Sequence, residues 1–178
     1  MTAAAAADGV QAVVLLAGFL MVHIAQRLSE LRISLRNARA LRAGGAVESG
    51  QGHYPWIIAM HALFPIALTA EVLLFGARPG RFAVVWLILW FGAQLLRWSA
   101  MHALGERWTT RVLVIPGAPL VRTGPYRWLR HPNYAAVVIE LFAAPMMFGA
   151  WRTAVLFTVA NAIALSVRIR CEQRALAR

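Results

Sequence analysis

Three groups of residues in this chain could do chemistry. The first is Arg130-His131-Pro132-Asn133-Tyr134, which sets a permanent cation and an imidazole directly before a proline. Proline suits the first turn of a helix, so His131 or its neighbour is expected to cap that helix. Arg130, His131 and the first free backbone N–H groups then share one helix mouth, a natural anion site. The second is the polar run Arg168-Ile169-Arg170-Cys171-Glu172-Gln173-Arg174, which follows a long apolar stretch. The third is scattered through apolar segments: Glu140, Asn161, His61 and Arg97, with His53, Tyr54 and His102 close to segment ends. An ionisable group in such a segment is costly and marks a functional candidate by default. No metal-ligand spacing accompanies these groups, since Cys171 is the only cysteine and no His-x3-His occurs. Neither a Gly-x-Gly-x-x-Gly nor a phosphate-loop motif is present, which excludes a soluble Rossmann-type architecture.

The elements that must position these groups are membrane helices. Of 178 residues, 60% are hydrophobic and 14% charged, and the mean hydropathy is +0.61. A water-soluble domain of this size has too much surface to hide that apolar fraction. A bilayer core of ~30 Å takes about 20 apolar helical residues. Five stretches are therefore read as spans, at about 10–26, 54–75, 82–104, 133–150 and 151–167. The last two meet at Gly149-Ala150-Trp151 and form a tight hairpin, and Pro65 and Pro145 lie inside spans. The expected class is an all-α integral membrane protein forming one domain over 1–178.

All 18 basic residues other than histidine are arginine, and the formal net charge is +11. Fifteen arginines fall on one side of these spans and three, Arg78, Arg81 and Arg152, on the other. By the positive-inside rule the N-terminus is outside and the C-terminus cytoplasmic. Topology thus accounts for the charge, and no nucleic-acid partner is expected. The residues before Val10 carry an acid and no base, which fits a retained helix rather than a cleaved leader. Leu28, Leu31, Leu35 and Ala38 suggest an amphipathic extension of the first span, ending at Gly44-Gly45, with a flexible link from there to His53. Val112 to Val121, around Pro116-Gly117-Ala118-Pro119, reads as a small hairpin or loop, and Glu71 as interfacial near an outer span end.

Gly124-Pro125-Tyr126, the Arg130–Tyr134 run, a membrane hairpin and then Arg168–Leu176 resemble the isoprenylcysteine carboxyl methyltransferase family, whose two-part signature phospholipid N-methyltransferases share. Leu104-Gly105-Glu106-Arg107-Trp108 is similar as well. The first half, with Arg36-Asn37-Ala38-Arg39 and Gly52-His53-Tyr54-Pro55, looks like a bacterial branch associated with O-methylation of alkylpyrones. The resemblance implies an S-adenosylmethionine site built from 105–134 and 168–178. There Arg130 would hold the carboxylate with the helix N-terminus, His131 would donate a hydrogen bond, and Glu172 would accept from the ribose diol or the ammonium. Tyr126, Tyr134 and Arg127 would complete the site. The chain departs from the family pattern in two places, with Gln173 where a second glutamate is usual and Ala136 where glycine is frequent.

The resulting expectation is methyl transfer from S-adenosylmethionine to an oxygen (carboxylate, enol or phenol) of a lipophilic acceptor at the inner membrane face. Membrane lipid is the other partner. Glu140 and His61 are the catalytic candidates, and His53, Tyr54, Arg97, His102 and Asn161 the acceptor-side ones. Glu140 lies ~12 Å and Asn161 ~13 Å from the cytoplasmic end at 1.5 Å per residue, which suggests a hydrogen bond between them. Glu140 would then either activate an acidic hydroxyl or lock the hairpin. N-methylation of an aminolipid, a reductase of similar topology using a nicotinamide cofactor, and a non-enzymatic lipid- or partner-binding protein are the alternatives.

Overall fold

The computed structural model describes residues 3–176; Arg178, counted above in the basic tail, lies outside the described residues. Five helices carry the fold: α1 Ala3–Ala43, α2 Tyr54–Leu74, α3 Ala83–Leu104, α4 Pro132–Met147 and α5 Trp151–Leu176. Two short strands, β1 Val47–Ser49 and β2 Val112–Val114, pair antiparallel. The chain is all-α apart from this ladder, and α1, α2, α3 and α5 are long and apolar enough to cross a bilayer. α4 is the exception. Its 16 residues reach about 24 Å, short of the ~30 Å of a bilayer core.

The polarity of the bundle suits lipid. Val14, Ile66, Ile88 and Ile163 point outward at 63–64% exposure, while polar groups gather inside. The core joins Leu16 of α1, Phe64, Leu68 and Val72 of α2, Trp90 of α3, Leu141 and Ala144 of α4 and Phe157 of α5. Phe64 meets Phe157 edge-on at 5.3 Å, and Phe19 meets Trp90 at 5.5 Å. Helices α3 and α4 are the most closely packed pair. Small buried residues, Ala93 and Ala100 on α3 and Ala136, Ala143 and Ala144 on α4, let the backbones approach.

The structure corrects three local expectations and refines a fourth. The helical extension of the first span forms and ends before Gly44, α1 running unbroken to Ala43, with Leu28, Leu31 and Leu35 exposed rather than packed on other parts of the chain. Its inward face is Glu30, Ser34, Asn37, Ala38 and Leu41, since loop backbone beside it needs hydrogen-bond partners. Asn37 Nδ2 donates to the carbonyls of Gly105 (3.2 Å) and Trp108 (2.9 Å), and Ser34 Oγ accepts from Thr110 N (2.9 Å). The link after Gly45 is not free, and Val112–Val121 is no self-contained hairpin. The two segments pair with each other in the register Val47–Val114, Glu48–Leu113, Ser49–Val112. Finally, Glu71 is buried, not interfacial. It accepts from Arg152 N (3.1 Å), Thr153 N (2.7 Å) and Thr153 Oγ1 (2.6 Å), satisfying the otherwise unpaired start of α5.

The α4–α5 turn depends on Gly149, whose φ is +68°. A Cβ placed there would lie 2.2 Å from the Arg78 carbonyl oxygen, so both backbone conformation and space demand glycine. Gly149→Ala is expected to destabilise the protein by more than about 1 kcal/mol. Thermal unfolding in detergent checks this, and a midpoint equal to wild type would contradict it.

Glu48 fastens the strand ladder. Its carboxylate accepts from Arg42 (2.5 Å) and Arg111 (2.6 Å). Burial pushes the Glu48 pKa up, but the two guanidiniums outweigh it and hold the carboxyl below the usual carboxylate range. A lowered folded-state pKa contributes stability above the unfolded value, roughly pH 4, that is lost as pH falls through the folded one. Acidification from pH 6 to below 4 should therefore lower the unfolding midpoint more in wild type than in Glu48→Gln.

Candidate functional site

Helix α4 opens at Pro132, and the preceding Gly124–Arg127 forms a 3-10 turn against the end of α3. Gly124 has φ +55°, and a Cβ there would stand 3.1 Å from that of Ala103, so this turn presses on α3. Helix α5 continues well past its apolar portion, bringing Arg168 and Glu172, one turn apart, back alongside the α4 mouth. Between these elements and β2 lies a cavity of about 810 Å³.

All six residues expected to contact a cofactor, Tyr126, Arg127, Arg130, His131, Tyr134 and Glu172, line that cavity. Tyr134 Oη donates to Glu172 Oε2 at 2.6 Å, joining positions 38 residues apart. His131 stacks on the Tyr134 ring with centroids 5.1 Å apart and planes at 12°, and its Nδ1 stands 3.8 Å from Glu172 Oε2. Arg168 Nε donates to Tyr134 Oη (2.8 Å) and its Nη1 to the Thr110 carbonyl (2.7 Å). Burial, and then the neighbouring Glu172, push the Tyr126 phenol up to about 12, so it stays neutral at physiological pH. His131 does not cap α4 with its side chain. The amides of Tyr134 and Ala135 both donate to the His131 carbonyl instead. Leu104, Trp108, Val112, Ile115 and Val121 make another stretch of the lining apolar.

His53 and Tyr54 border a narrow crevice next to the cavity, sharing Arg111, Val112 and Arg168 with its wall. Tyr54 Oη pairs with Thr110 Oγ1 at 2.9 Å, and the Arg111 guanidinium sits 4.3 Å above the Tyr54 ring.

Deeper in the bundle is a second polar centre. Glu140, 1% exposed, pairs with Arg97 through Oε2, and its Oε1 lies 3.4 Å from both His23 Nδ1 and Arg27 Nη2. Glu30 completes a quartet, with Arg27 at 3.0 Å and Arg97 at 3.4 Å. Two guanidiniums thus face two carboxylates, tying α1, α3 and α4 together. Half-buried His61 of α2 lies within electrostatic reach of Arg27, Glu140, Arg97 and His23.

The expected Glu140–Asn161 bond does not form. Asn161 is buried on α5 with its Nδ2 unpartnered, because Glu140 faces α1 and α3 rather than the hairpin partner. His102 is exposed at the end of α3, and the structure does not bring it to either polar centre. Arg27 and Glu30 are participants that sequence reasoning passed over, and Arg168, noted there only as part of the polar run, takes a specific place beside Tyr134. Two signals were present: Glu30, Ser34, Asn37 and Leu41 recur at helical spacing, and Arg168 and Glu172 are four apart. Among the described residues, no cluster of three or more potential metal ligands occurs.

Residues 84–178 match the model of the isoprenylcysteine carboxyl methyltransferase (ICMT) family. The chain is 42% identical over 155 residues to YpbQ, an uncharacterized protein of Bacillus subtilis, covering 87% of this chain and 92% of that one. An uncharacterized protein of Haemophilus influenzae is 27% identical over 154 residues, 86% of this chain and 90% of its own length. No solved structure matches.

Proposed function

The chain belongs to the isoprenylcysteine carboxyl methyltransferase family, and from that premise we propose that it transfers methyl from S-adenosylmethionine to an oxygen of a lipophilic acceptor. One observation carries the reading. Tyr126, Arg127, Arg130, His131, Tyr134 and Glu172, drawn from two distant segments, line a single cavity. Its size falls within the roughly 300–1,000 Å³ of small-molecule sites. The residues fit the donor's charges: Glu172 has only its Oε2 engaged among the described residues, Arg127 and Arg130 supply cations, and stacked His131 and Tyr134 offer a flat aromatic face.

When bound, S-adenosylmethionine supplies an electrophilic methyl group on a sulfonium. The residues bind and align. Arg130 and Arg127 hold a carboxylate, Glu172 faces the ammonium or the ribose, and His131 donates to a cofactor oxygen or nitrogen. Displacement in line at a methyl carbon needs alignment and exclusion of water more than acid–base help. A carboxylate or acidic enol acceptor needs little deprotonation, and His61 is the candidate base for a phenol. Glu140, already flanked by two arginines and His23, serves to lock the helices around the site. His53, Tyr54 and Arg97 remain the acceptor-side candidates, an alkylpyrone-like enol being one acceptor of suitable chemistry. We place the cavity at the cytoplasmic face, with the N-terminus outside and the α4–α5 hairpin counted as two passes, on the arginine asymmetry.

S-adenosylhomocysteine, the demethylated product, is expected to bind the detergent-solubilised protein, and His131→Ala or Glu172→Ala to weaken it about tenfold or more. Labelled methyl should enter the lipid extract in an O-linked product. Release by mild base marks an ester, and mass spectrometry identifies an ether. Incorporation only into an amine would replace this reading with N-methylation.

A further inference from the structure

We propose that Arg168 is a positioning residue that sets the orientation of the Glu172 carboxylate through Tyr134; this rests on the methyl-donor reading of the cavity. A tyrosine hydroxyl has one proton to give and lone pairs to receive. Arg168 has only donors, so its Nε–H, 2.8 Å from Tyr134 Oη, must be the giver. The Tyr134 proton is thereby directed to Glu172 Oε2 at 2.6 Å.

Arg168 is itself held. It is 8% exposed, its Nη1 donates to the Thr110 carbonyl at 2.7 Å, and its guanidinium lies 5.3 Å above the Tyr134 ring. Thr110 is anchored in turn by Ser34 of α1 and Tyr54 of α2. The chain of donors therefore runs from a fixed loop to an acid that faces the ligand. Arg168 and Glu172 stand one helical turn apart on α5, so the helix fixes the spacing of the two ends of that chain. With Oε2 engaged, Glu172 presents its remaining oxygen to the ammonium or ribose of the donor. Without Arg168 the Tyr134 hydroxyl keeps only its bond to Glu172, and the pair loses the anchor to the Thr110 loop that fixes the carboxylate's angle.

The test is calorimetric titration of S-adenosylhomocysteine into the full-length detergent-solubilised protein. Wild type, Arg168→Gln, Arg168→Lys, Tyr134→Phe and the Arg168→Gln/Tyr134→Phe double variant are compared, with unfolding midpoints recorded for each. Arg168→Gln is expected to weaken binding roughly tenfold, and Arg168→Lys, which keeps the charge and more of the reach toward Tyr134, less. The double variant should bind no more weakly than the worse single one, because both substitutions break the same chain. Should Arg168→Gln fail to fold, Arg168→Lys takes its place in the cycle. Multiplicative losses in the double variant, or lowered midpoints with unchanged affinity, would show a merely structural role and overturn the inference. So would wild-type affinity in Arg168→Gln while His131→Ala loses binding, an outcome that spares the methyl-donor reading. Absence of binding in wild type overturns both.

Discussion

Glu140→Ala is expected to lower the stability of the detergent-solubilised protein by about 3–5 kcal/mol. The substitution removes one carboxylate from a buried quartet of two acids and two arginines, leaving Arg97 and Arg27 to share Glu30. Arg97 is 2% exposed and cannot reach water, so its unbalanced charge stays within the bundle. Removing one charge of each sign should cost less. In Arg97→Met/Glu140→Leu the remaining Arg27 and Glu30 still pair at 3.0 Å, and apolar side chains fill the vacated volume. The double variant should unfold at a higher temperature than Glu140→Ala. If the single variant proves as stable as wild type, the quartet does not hold α1, α3 and α4 together. Loss of stability without proportionate loss of S-adenosylhomocysteine affinity is also expected, because Glu140 lies six residues along α4 from the cavity-lining Tyr134, about 9 Å at 1.5 Å per residue.

The second large effect is at the opposite end of the bundle. Glu71→Ala deletes the acceptor for two backbone amides and the Thr153 hydroxyl, all at the start of α5. Leaving buried donors unpaired costs about 1–3 kcal/mol for each fully desolvated group, so a total of roughly 2–4 kcal/mol is reasonable where Arg152 keeps some access to solvent. Glu71→Gln retains one carbonyl acceptor and should recover part of the loss. The readout is again the unfolding midpoint, joined by amide exchange at Arg152 and Thr153, which should quicken in Glu71→Ala. Equal protection in the variant and wild type would show that α5 starts without this cap.

How much of this was legible beforehand follows from where each signal resides. The approximate courses of the helices follow from apolar runs and their length, which are properties of contiguous residues. The Gly124–Tyr134 and Arg168–Leu176 segments were likewise recognisable from adjacent residue types, and both contribute to the cavity wall, whereas the part supplied by Leu41 and by Thr109 to Arg122 carried no such signal. Partnerships inside the bundle were not legible. Depth along two helices suggested Glu140 for Asn161, but depth is one coordinate, and the rotation of α4 turns Glu140 toward α1 and α3.

The sequence by itself determined the apolar, helical character of the chain, the one-sided arginine distribution and two of the segments that border the cavity, because hydropathy, charge and short motifs are local along the chain. Only the tertiary structure decided that β1 pairs with β2, that Glu71 caps α5, that Glu30 and Arg27 close a quartet, and that Arg168 reaches Tyr134. Each of these joins residues brought together by helix rotation and crossing. A buried polar group takes the nearest complementary partner in space, whichever part of the chain supplies it.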